Sequence, residues 1–298
     1  MNKRLISAFI LALALPAAGQ NFPVRYEELS TPDFITAVQK AQAVCIIPLG
    51  ILEKHGPHLP LGTDLLTARA ISIRAAQKEY AIVFPEFFVG QIFEARHQPG
   101  TIAYSRELML DMLQETCDEL GRNGIRKIIL VNGHGGNDAL VEFFCQTQLA
   151  GKKDYAVYLF KPSGEAEKMM AERTAALRKT KLDGHAGEEE TSVMLALRPE
   201  LVRLDRAEDE SGADLGRLSG LKHAYTGIWW YANQPFHYRG LGAAGSRELG
   251  ELVLELETGL LVDMIRSVKA DRTTLKLQDG FFMDAASPLT TPQGKKKK

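Results

Sequence analysis

The sequence is poor in the features that mark several common classes of protein. It has three cysteines in 298 residues and no Cys-x-x-Cys pair, which argues against a thiolate zinc site and against thioredoxin-like redox chemistry. Its formal net charge is only −1, whereas nucleic-acid and anionic-membrane partners normally require a clear basic excess. We therefore expect no nucleic-acid partner, and a small-molecule substrate stays open.

Signals of a side-chain nucleophile are also missing. There is no Gly-x-Ser-x-Gly elbow, and none of the cysteines lies beside a candidate base. Cys45, Cys117 and Cys145 each lie in an apolar context, which is typical of buried cysteines that act as small hydrophobes. Any hydrolytic chemistry is therefore expected to use an activated water.

Long apolar runs are absent after the N-terminus. Lys3 and Arg4 precede an apolar stretch over residues 5–15, and small residues follow at 16–19. About eleven apolar residues are fewer than the roughly 20 that a spanning helix needs, so we expect a signal peptide over residues 1–19 that is cleaved after Gly19 or Ala18. The mature protein is then secreted or periplasmic, without a membrane span.

The rest of the chain alternates strand and helix patterns. Apolar strand patterns cover residues 43–49, 81–84, 126–131 and 155–160. Helix patterns begin at Asp64, with Thr63 or Asp64 as the cap residue, at Ser105 and at Ser246. This alternation predicts a three-layer α/β/α domain with a mainly parallel sheet over residues 20–269. Residues 270–298, which are rich in Pro, Gly and Lys at their end, are expected to form a flexible tail.

Metal-binding side chains follow two of these strands. Glu53, His55 and Asp64 lie in a loop broken by Gly and Pro after the first strand, and His134 lies in the Gly-rich loop after the third. Carboxylates and neutral imidazoles suit divalent cations, and ligand sites of such sheets lie beyond the carboxyl ends of the strands. Alone, the His134 loop would equally be a plain strand-to-helix turn, but the four residues together indicate a metal site.

A third polar cluster covers residues 183–192 and includes His185 and the glutamates at 188, 189 and 190. Consecutive glutamates often mark a solvated helix start, where acids suit the helix dipole. An apolar segment follows, however, so one of these acids should point inward, where a carboxylate needs a partner or a metal. His185 is of the right type to be a general base or a substrate contact.

Four motifs together resemble the creatininase family. They are Gly50-x-x-Glu53-x-His55 through Asp64, Pro99-Gly100-Thr101-Ile102, Asn132-Gly-His134-Gly-Gly-Asn137, and His185-Ala-Gly-x-x-Glu190-Thr-Ser192. The resemblance implies an amidohydrolase with two divalent metal ions, for which zinc is the first choice and manganese or iron are alternatives. It also implies a small amide or cyclic amide as substrate, and a homo-oligomer, which is a hexamer in many members.

The resemblance also implies roles for individual residues. Glu53, His55, Asp64 and His134 match metal ligands, with Asp64 as the bridge between two ions. Creatininase itself places a glutamate where this chain has Gly136, so the fifth ligand is expected to be Glu190, with Glu188 as the runner-up. The expected catalytic residues are His185 and Glu188, either of which would protonate the departing nitrogen.

Other histidines and aromatic residues carry weaker predictions. His58 is expected to orient a ligand or to form a structural hydrogen bond, and His97 is not expected to be a ligand. The aromatic residues Trp229, Trp230, Tyr231, Phe236 and Tyr238 would wall a pocket or form ordinary core or subunit contacts. Two other functions stay open from the sequence: a non-catalytic periplasmic protein that binds metal or solute, and a structural assembly subunit.

Overall fold

A parallel β-sheet lies at the centre of the protein, whose computed structural model describes residues 22–290. Its strands are β1 (Val44–Leu49), β2 (Ile82–Val83), β3 (Lys127–Asn132) and β4 (Ala156–Leu159). They lie in the order β2-β1-β3-β4, and each neighbouring pair is parallel. The four strands predicted from the sequence are confirmed to within one residue at each end. The predicted signal peptide lies outside the described residues.

Helices follow and cover these strands. They are α1 (Thr31–Lys40), α2 (Thr63–Lys78), α3 (Arg106–Arg122), α4 (Asp138–Thr147), α5 (Gly164–Thr174), α6 (Glu188–Leu197), α7 (Trp229–Asn233), α8 (Arg247–Ala270) and α9 (Thr274–Ala285). Within residues 22–290, no helix has both the length and the apolar character needed to cross a bilayer.

The two faces of the sheet are buried under different helices. Val44 and Ile46 of β1 pack with apolar residues of α2 and α8, whereas Cys45 and Ile47 pack with those of α1, α3 and α4. Successive strand residues point to opposite faces, so a strand that is buried on both faces reads as a continuous apolar run. This arrangement confirms the predicted three-layer α/β/α fold. Cys117 of α3 is buried in the second of these layers, as the sequence indicated.

The start of α2 differs from the prediction in a way that matters for the site. The cap position is occupied by Gly62, which has no side chain to bond the first helical N–H groups. Neither Thr63 nor Asp64 is therefore the cap residue. The Thr63 hydroxyl instead donates to the carbonyl of Pro60 at 2.8 Å. The Asp64 carboxylate faces the loops that follow β1 and β3, where it lies near His55 and His134.

Most of the described part of the expected tail is helical, since α9 occupies residues 274–285. Asp271 fixes the start of this helix: its Oδ1 accepts from the backbone N–H of Thr273 at 2.7 Å, and its Oδ2 accepts from the Tyr158 hydroxyl at 2.7 Å. Gln278 also donates to the carbonyl of Tyr155. Pro, Gly and Lys residues near the C-terminus are typical of a flexible tail, and nothing local in the sequence indicates this anchor. Residues 291–298 lie outside the described residues.

Close packing of α6 against α8 leads to a test of the outer layer. A Cβ added at Gly250 of α8 would collide with the carbonyl of Ser192 in α6 and would lie 2.8 Å from the Val193 nitrogen. We expect Gly250→Ala to lower the free energy of unfolding by at least about 2 kcal/mol, because two helix backbones would have to separate. The measurement is denaturant unfolding.

The matched control lies on the same helix. A Cβ added at Gly259 would meet nothing within 4 Å. Gly259→Ala should therefore raise the free energy of unfolding by roughly 0.5–1 kcal/mol through helix propensity. A loss of similar size in both variants would contradict the close contact between α6 and α8.

Candidate metal centre

The carboxyl ends of β1 and β3 bring the predicted ligands to one place. These strands pair in register, with Leu49 opposite Asn132, so the loops that follow them emerge side by side. Gly133 is what allows the second loop to approach α2, because a Cβ at this position would lie 2.7 Å from the carbonyl oxygen of Asp64. Glu53, on the first loop, and His134, on the second, thereby come together, and both are buried.

One group consists of Glu53, Asp64 and His134. The Nδ1 atom of His134 lies 2.8 Å from Glu53 Oε1 and 3.2 Å from Asp64 Oδ2. The other ring nitrogen, Nε2, donates to the carbonyl of Gln91 at 2.9 Å, since a carbonyl can only accept. This hydrogen bond keeps Nδ1 directed at the two carboxylates, as the outer partners of metal-binding histidines do.

A second group forms around His55. Its Nε2 atom lies 2.9 Å from Asp64 Oδ1 and 3.8 Å from Glu190 Oε2. The backbone N–H of Ala186 donates to the same Glu190 oxygen at 2.6 Å and so orients it. Asp64 thus presents one oxygen to each imidazole, which is the arrangement that a bridging carboxylate requires.

The donor atoms of both groups fit divalent metal ions. Glu53 Oε1 and Asp64 Oδ2 are buried and make no well-formed hydrogen bond, although His134 lies close to both. Buried polar atoms without a partner are rare and call for an explanation such as a bound ion. Two ligand atoms held roughly 2.1 Å from one tetrahedral ion lie about 3.4 Å apart, which matches the 2.8–3.8 Å separations within the two groups.

The electrostatics of the cluster favour added positive charge. Burial opposes ionisation of Glu53, but the histidines around it, with His134 at hydrogen-bond distance, hold the pKa of its carboxyl well below the usual value. Burial likewise acts against a charged His55, but Asp64 outweighs it and raises the pKa of that imidazole to about 10. The carboxylates thus attract protons onto the imidazoles, and divalent cations would displace these protons.

His185 has a defined orientation beside the second group. Its Nε2 atom donates to the carbonyl of Lys54 at 2.8 Å, and its Nδ1 atom lies 4.0 Å from Glu190 Oε2. Burial lowers the pKa of His185 to about 4, so the ring is neutral at pH 7. With Nε2 carrying the hydrogen, Nδ1 is left as a proton acceptor facing the cluster.

Glu188 does not reach the cluster, which corrects the prediction that it is a catalytic residue or a spare ligand. Its carboxylate accepts from the backbone N–H of Lys179 at 2.6 Å and from that of Thr180 at 3.1 Å. Glu189 pairs with Arg178. Because successive helix residues point about 100° apart, only one glutamate at the start of α6 can face His55, and it is Glu190.

Sequence reasoning missed His237, a buried histidine on the opposite side of Glu53. Its Nε2 atom makes a short hydrogen bond to Glu53 Oε2, and its Nδ1 atom accepts from the indole N–H of Trp230 at 2.7 Å. Burial lowers the pKa of His237 to about 4, although Glu53 acts in the opposite direction. The only sequence signal was its position inside the aromatic segment, where Phe236 and Tyr238 attracted attention instead.

The other histidines and aromatic residues singled out in the sequence lie in several different places. His58 hydrogen-bonds the Thr191 hydroxyl at 2.8 Å, and His97 lies at the surface against the carbonyl of Pro235. The aromatic patch is divided between two places: Tyr238 joins a buried cluster, whereas Trp230 packs edge-on against His185. Trp230 therefore borders the metal centre.

An open cavity of about 400 Å³ reaches the centre from solvent. Asp64, His134 and Glu190 form part of its wall, together with Lys161 and Glu257. Burial raises the pKa of Glu257 to about 7, and Glu189 adds to the effect. The cavity has room for a small molecule next to both ligand groups.

The different positions of Glu188 and Glu190 can be tested with matched variants on one helix. Glu188→Ala leaves two backbone N–H groups without an acceptor, so it should lower the free energy of unfolding by about 1–3 kcal/mol without changing metal content. Glu190→Ala should lower metal content, and it should cost less stability in chelator-treated protein than Glu188→Ala does, because it leaves one backbone N–H without an acceptor and not two. Denaturant unfolding and elemental analysis measure the two effects, and the reverse assignment would contradict the geometry.

Comparisons with known proteins agree with this geometry. The family model described as creatinine amidohydrolase matches residues 27–265. Creatinine amidohydrolase of Pseudomonas putida is 28% identical over 256 residues, which are 80% of this chain and 95% of that protein. Mycofactocin precursor peptide peptidase of Mycobacterium ulcerans (strain Agy99) is 33% identical over 185 residues, which are 58% of this chain and 66% of that protein.

Solved structures give the same result. One described as a manganese creatininase has a TM-score of 0.68 and 26% identity, and the match covers 83% of this chain and 99% of that one. A mutant creatininase described as a Zn-Zn type matches with a TM-score of 0.67 over the same shares. Since the family model spans most of the sequence and the fold agrees, this chain belongs to the creatininase family and is an amidohydrolase with a candidate metal centre at the ends of β1 and β3.

Proposed function

We propose that the protein is an exported, metal-dependent enzyme that hydrolyses an amide or cyclic amide C–N bond of a small molecule. The observation that carries the proposal is the position of Asp64. One of its oxygens faces His55 and the other faces His134, and each imidazole also lies near a further carboxylate. A structural ion pair would need only one partner for Asp64, whereas here an imidazole with a further carboxylate lies on each side of it.

Two divalent ions fit the ligand groups: Glu53, Asp64 and His134 would hold one. His55 and Glu190 would hold the other, with the second oxygen of Asp64 2.9 Å from His55 Nε2. Bound there, such ions supply an activated water and polarise the carbonyl that is attacked. The mixed imidazole and carboxylate donors suit zinc first, and also manganese or iron. The relatives that match include creatininase structures described with manganese and with zinc.

His185 is the proposed proton carrier of the reaction. The hydrogen bond from its Nε2 atom to Lys54 fixes the ring, and Nδ1 faces the cluster unprotonated. It can accept a proton from the attacking water and pass it to the departing nitrogen, as a general base that becomes a general acid. Glu188 has no part in this proposal because its carboxylate is bound to the backbone.

The substrate is proposed to be a small amide. The cavity beside the ligand groups has a volume of about 400 Å³, which suits a small molecule. Relatives carry names that specify creatinine and a precursor peptide, so the family name alone does not fix the scissile bond.

We also propose that the protein works as a homo-oligomer. Light scattering of the purified protein measures its oligomeric state.

Metal-dependent activity is the central prediction. Glu53→Gln and His134→Ala should each lower kcat for amide hydrolysis by more than about 100-fold, since even outer partners of metal ligands are worth 10- to 100-fold. Chelator should abolish turnover, and zinc or manganese should restore it. The measurements are metal analysis and a screen of cyclic and linear amides.

Glu107→Gln is the matched control, because Glu107 lies at the exposed start of α3 in another layer of the fold. It should retain wild-type metal content and activity. Full turnover in Glu53→Gln, or in chelated wild-type protein, would contradict the proposed function.

Export is tested separately. When the full-length chain is produced in a Gram-negative host, we expect the periplasmic protein to begin at Gln20 or Gly19, because small residues precede both bonds. Intact-mass spectrometry of the periplasmic fraction measures the cleavage. Leu13→Arg places a charge in the apolar stretch and should leave an uncleaved chain in the cytoplasm; cytoplasmic wild-type protein of full mass would contradict export.

A further inference from the structure

We propose that His237 is a positioning residue that holds one oxygen of Glu53 so that the other oxygen is presented to a metal ion. The inference rests on the proposed metal centre, and it concerns a residue that belongs to none of the sequence motifs. His237 is buried, and its Nε2 atom is within hydrogen-bond distance of Glu53 Oε2.

Trp230 decides which nitrogen of His237 carries the hydrogen. An indole N–H can only donate, and that of Trp230 lies 2.7 Å from His237 Nδ1, so Nδ1 must accept. In the neutral ring the hydrogen is then on Nε2, which faces Glu53. Trp230 therefore makes His237 a donor to the carboxylate and prevents its Nε2 lone pair from facing that carboxylate.

The two oxygens of Glu53 have different surroundings as a result. Oε2 accepts from His237, whereas Oε1 lies 2.8 Å from His134 Nδ1 without a well-formed hydrogen bond. The hydrogen bond from His237 limits rotation of the carboxylate and leaves Oε1 as the oxygen that faces His134. The chain Trp230 to His237 to Glu53 thus makes Oε1 a single, oriented donor to the ion shared with Asp64 and His134.

Glu53, His185 and His237 are also close enough to suggest a third ion site, but their hydrogen bonds argue against it. His185 Nε2 donates to the carbonyl of Lys54, so it has no lone pair to offer. His237 Nε2 carries the hydrogen that Trp230 places there. The trio is therefore an outer support of the Glu53 carboxylate.

The backbone of His237 is held in an unusual conformation. Its φ angle is +51°, in the left-handed region that non-glycine residues adopt rarely and at a cost. The N–H of His237 donates to the carbonyl of Gln234, and its carbonyl accepts from Gly56 in the loop that carries Glu53. The segment after α7 is thus tied at both its backbone and its side chain to the loop of the ligand.

The test is metal affinity, measured by competition with a chelator of known affinity. His237→Ala removes the donor to Glu53 and should weaken one of the two ions by about 10- to 100-fold, leaving the other unchanged. At limiting metal the content should then fall from two ions per chain towards one. His237→Gln can both donate to Glu53 and accept from Trp230, so it should recover most of the affinity.

Variants of the two neighbouring tryptophans separate positioning from packing. Trp230→Phe keeps an aromatic ring but removes the indole N–H, so it should weaken the same ion by a smaller factor. Trp229→Phe removes the indole N–H of the adjacent residue, which is not bonded to His237, and should have no effect on either ion. The free energy of unfolding of chelator-treated protein should be similar for the two variants. If Trp230 had a purely structural role, its replacement would lower this free energy and would not weaken one ion more than the other.

The outcomes distinguish this inference from the proposed function. Two ions bound with wild-type affinity in His237→Ala would overturn the positioning role and leave the proposed function intact. Equal weakening of both ions, or no recovery in His237→Gln, would also overturn it. A wild-type chain that binds no metal under any condition would overturn the proposed function and the inference together.

Discussion

The main constraint on the structure is the repulsion between carboxylates that are buried close together, because positive charge must compensate for it. Glu53 and Asp64 are buried, and Glu190 approaches them through His55. Two like charges 4 Å apart repel by about 4 kcal/mol at an effective dielectric constant of 20. The cluster is therefore stable only with compensating positive charge, which protonated imidazoles supply in the absence of metal and divalent ions supply better. This demand explains why acids and histidines occur together at the ends of β1 and β3.

The fold meets this demand by fixing every ring nitrogen that does not face the cluster. His134 and His185 each donate through Nε2 to a backbone carbonyl, of Gln91 and Lys54 respectively. His237 accepts from an indole through Nδ1. A carbonyl can only accept and an indole N–H can only donate, so each tautomer is determined by its neighbour. The centre is thus organised before any ion binds, which reduces the entropy lost on binding.

Much of this arrangement could be predicted because it is local in the chain. Apolar runs identified the strands, and parallel strands end at one edge of a sheet, so the loops carrying Glu53 and His134 could be placed together. The motif resemblance favoured Glu190 over Glu188, but the residues alone could not show which glutamate points inward, because that depends on the helix phase and on outside partners such as Arg178. The sequence also missed α9, which is anchored to β4 by a hydrogen bond between side chains 113 residues apart.

By itself, the sequence determined the α/β/α fold, the family, and a set of metal-binding residue types at two strand ends. Apolar periodicity and short motifs encode these features within a few residues of one another. Only the tertiary structure decided that Asp64 lies between two imidazoles, that Glu188 supports the backbone, and that His237 holds Glu53 across 184 residues of chain. These positions depend on hydrogen-bond direction and on close approach between segments that are distant in the chain. Neither produces a periodic pattern of residues in the sequence.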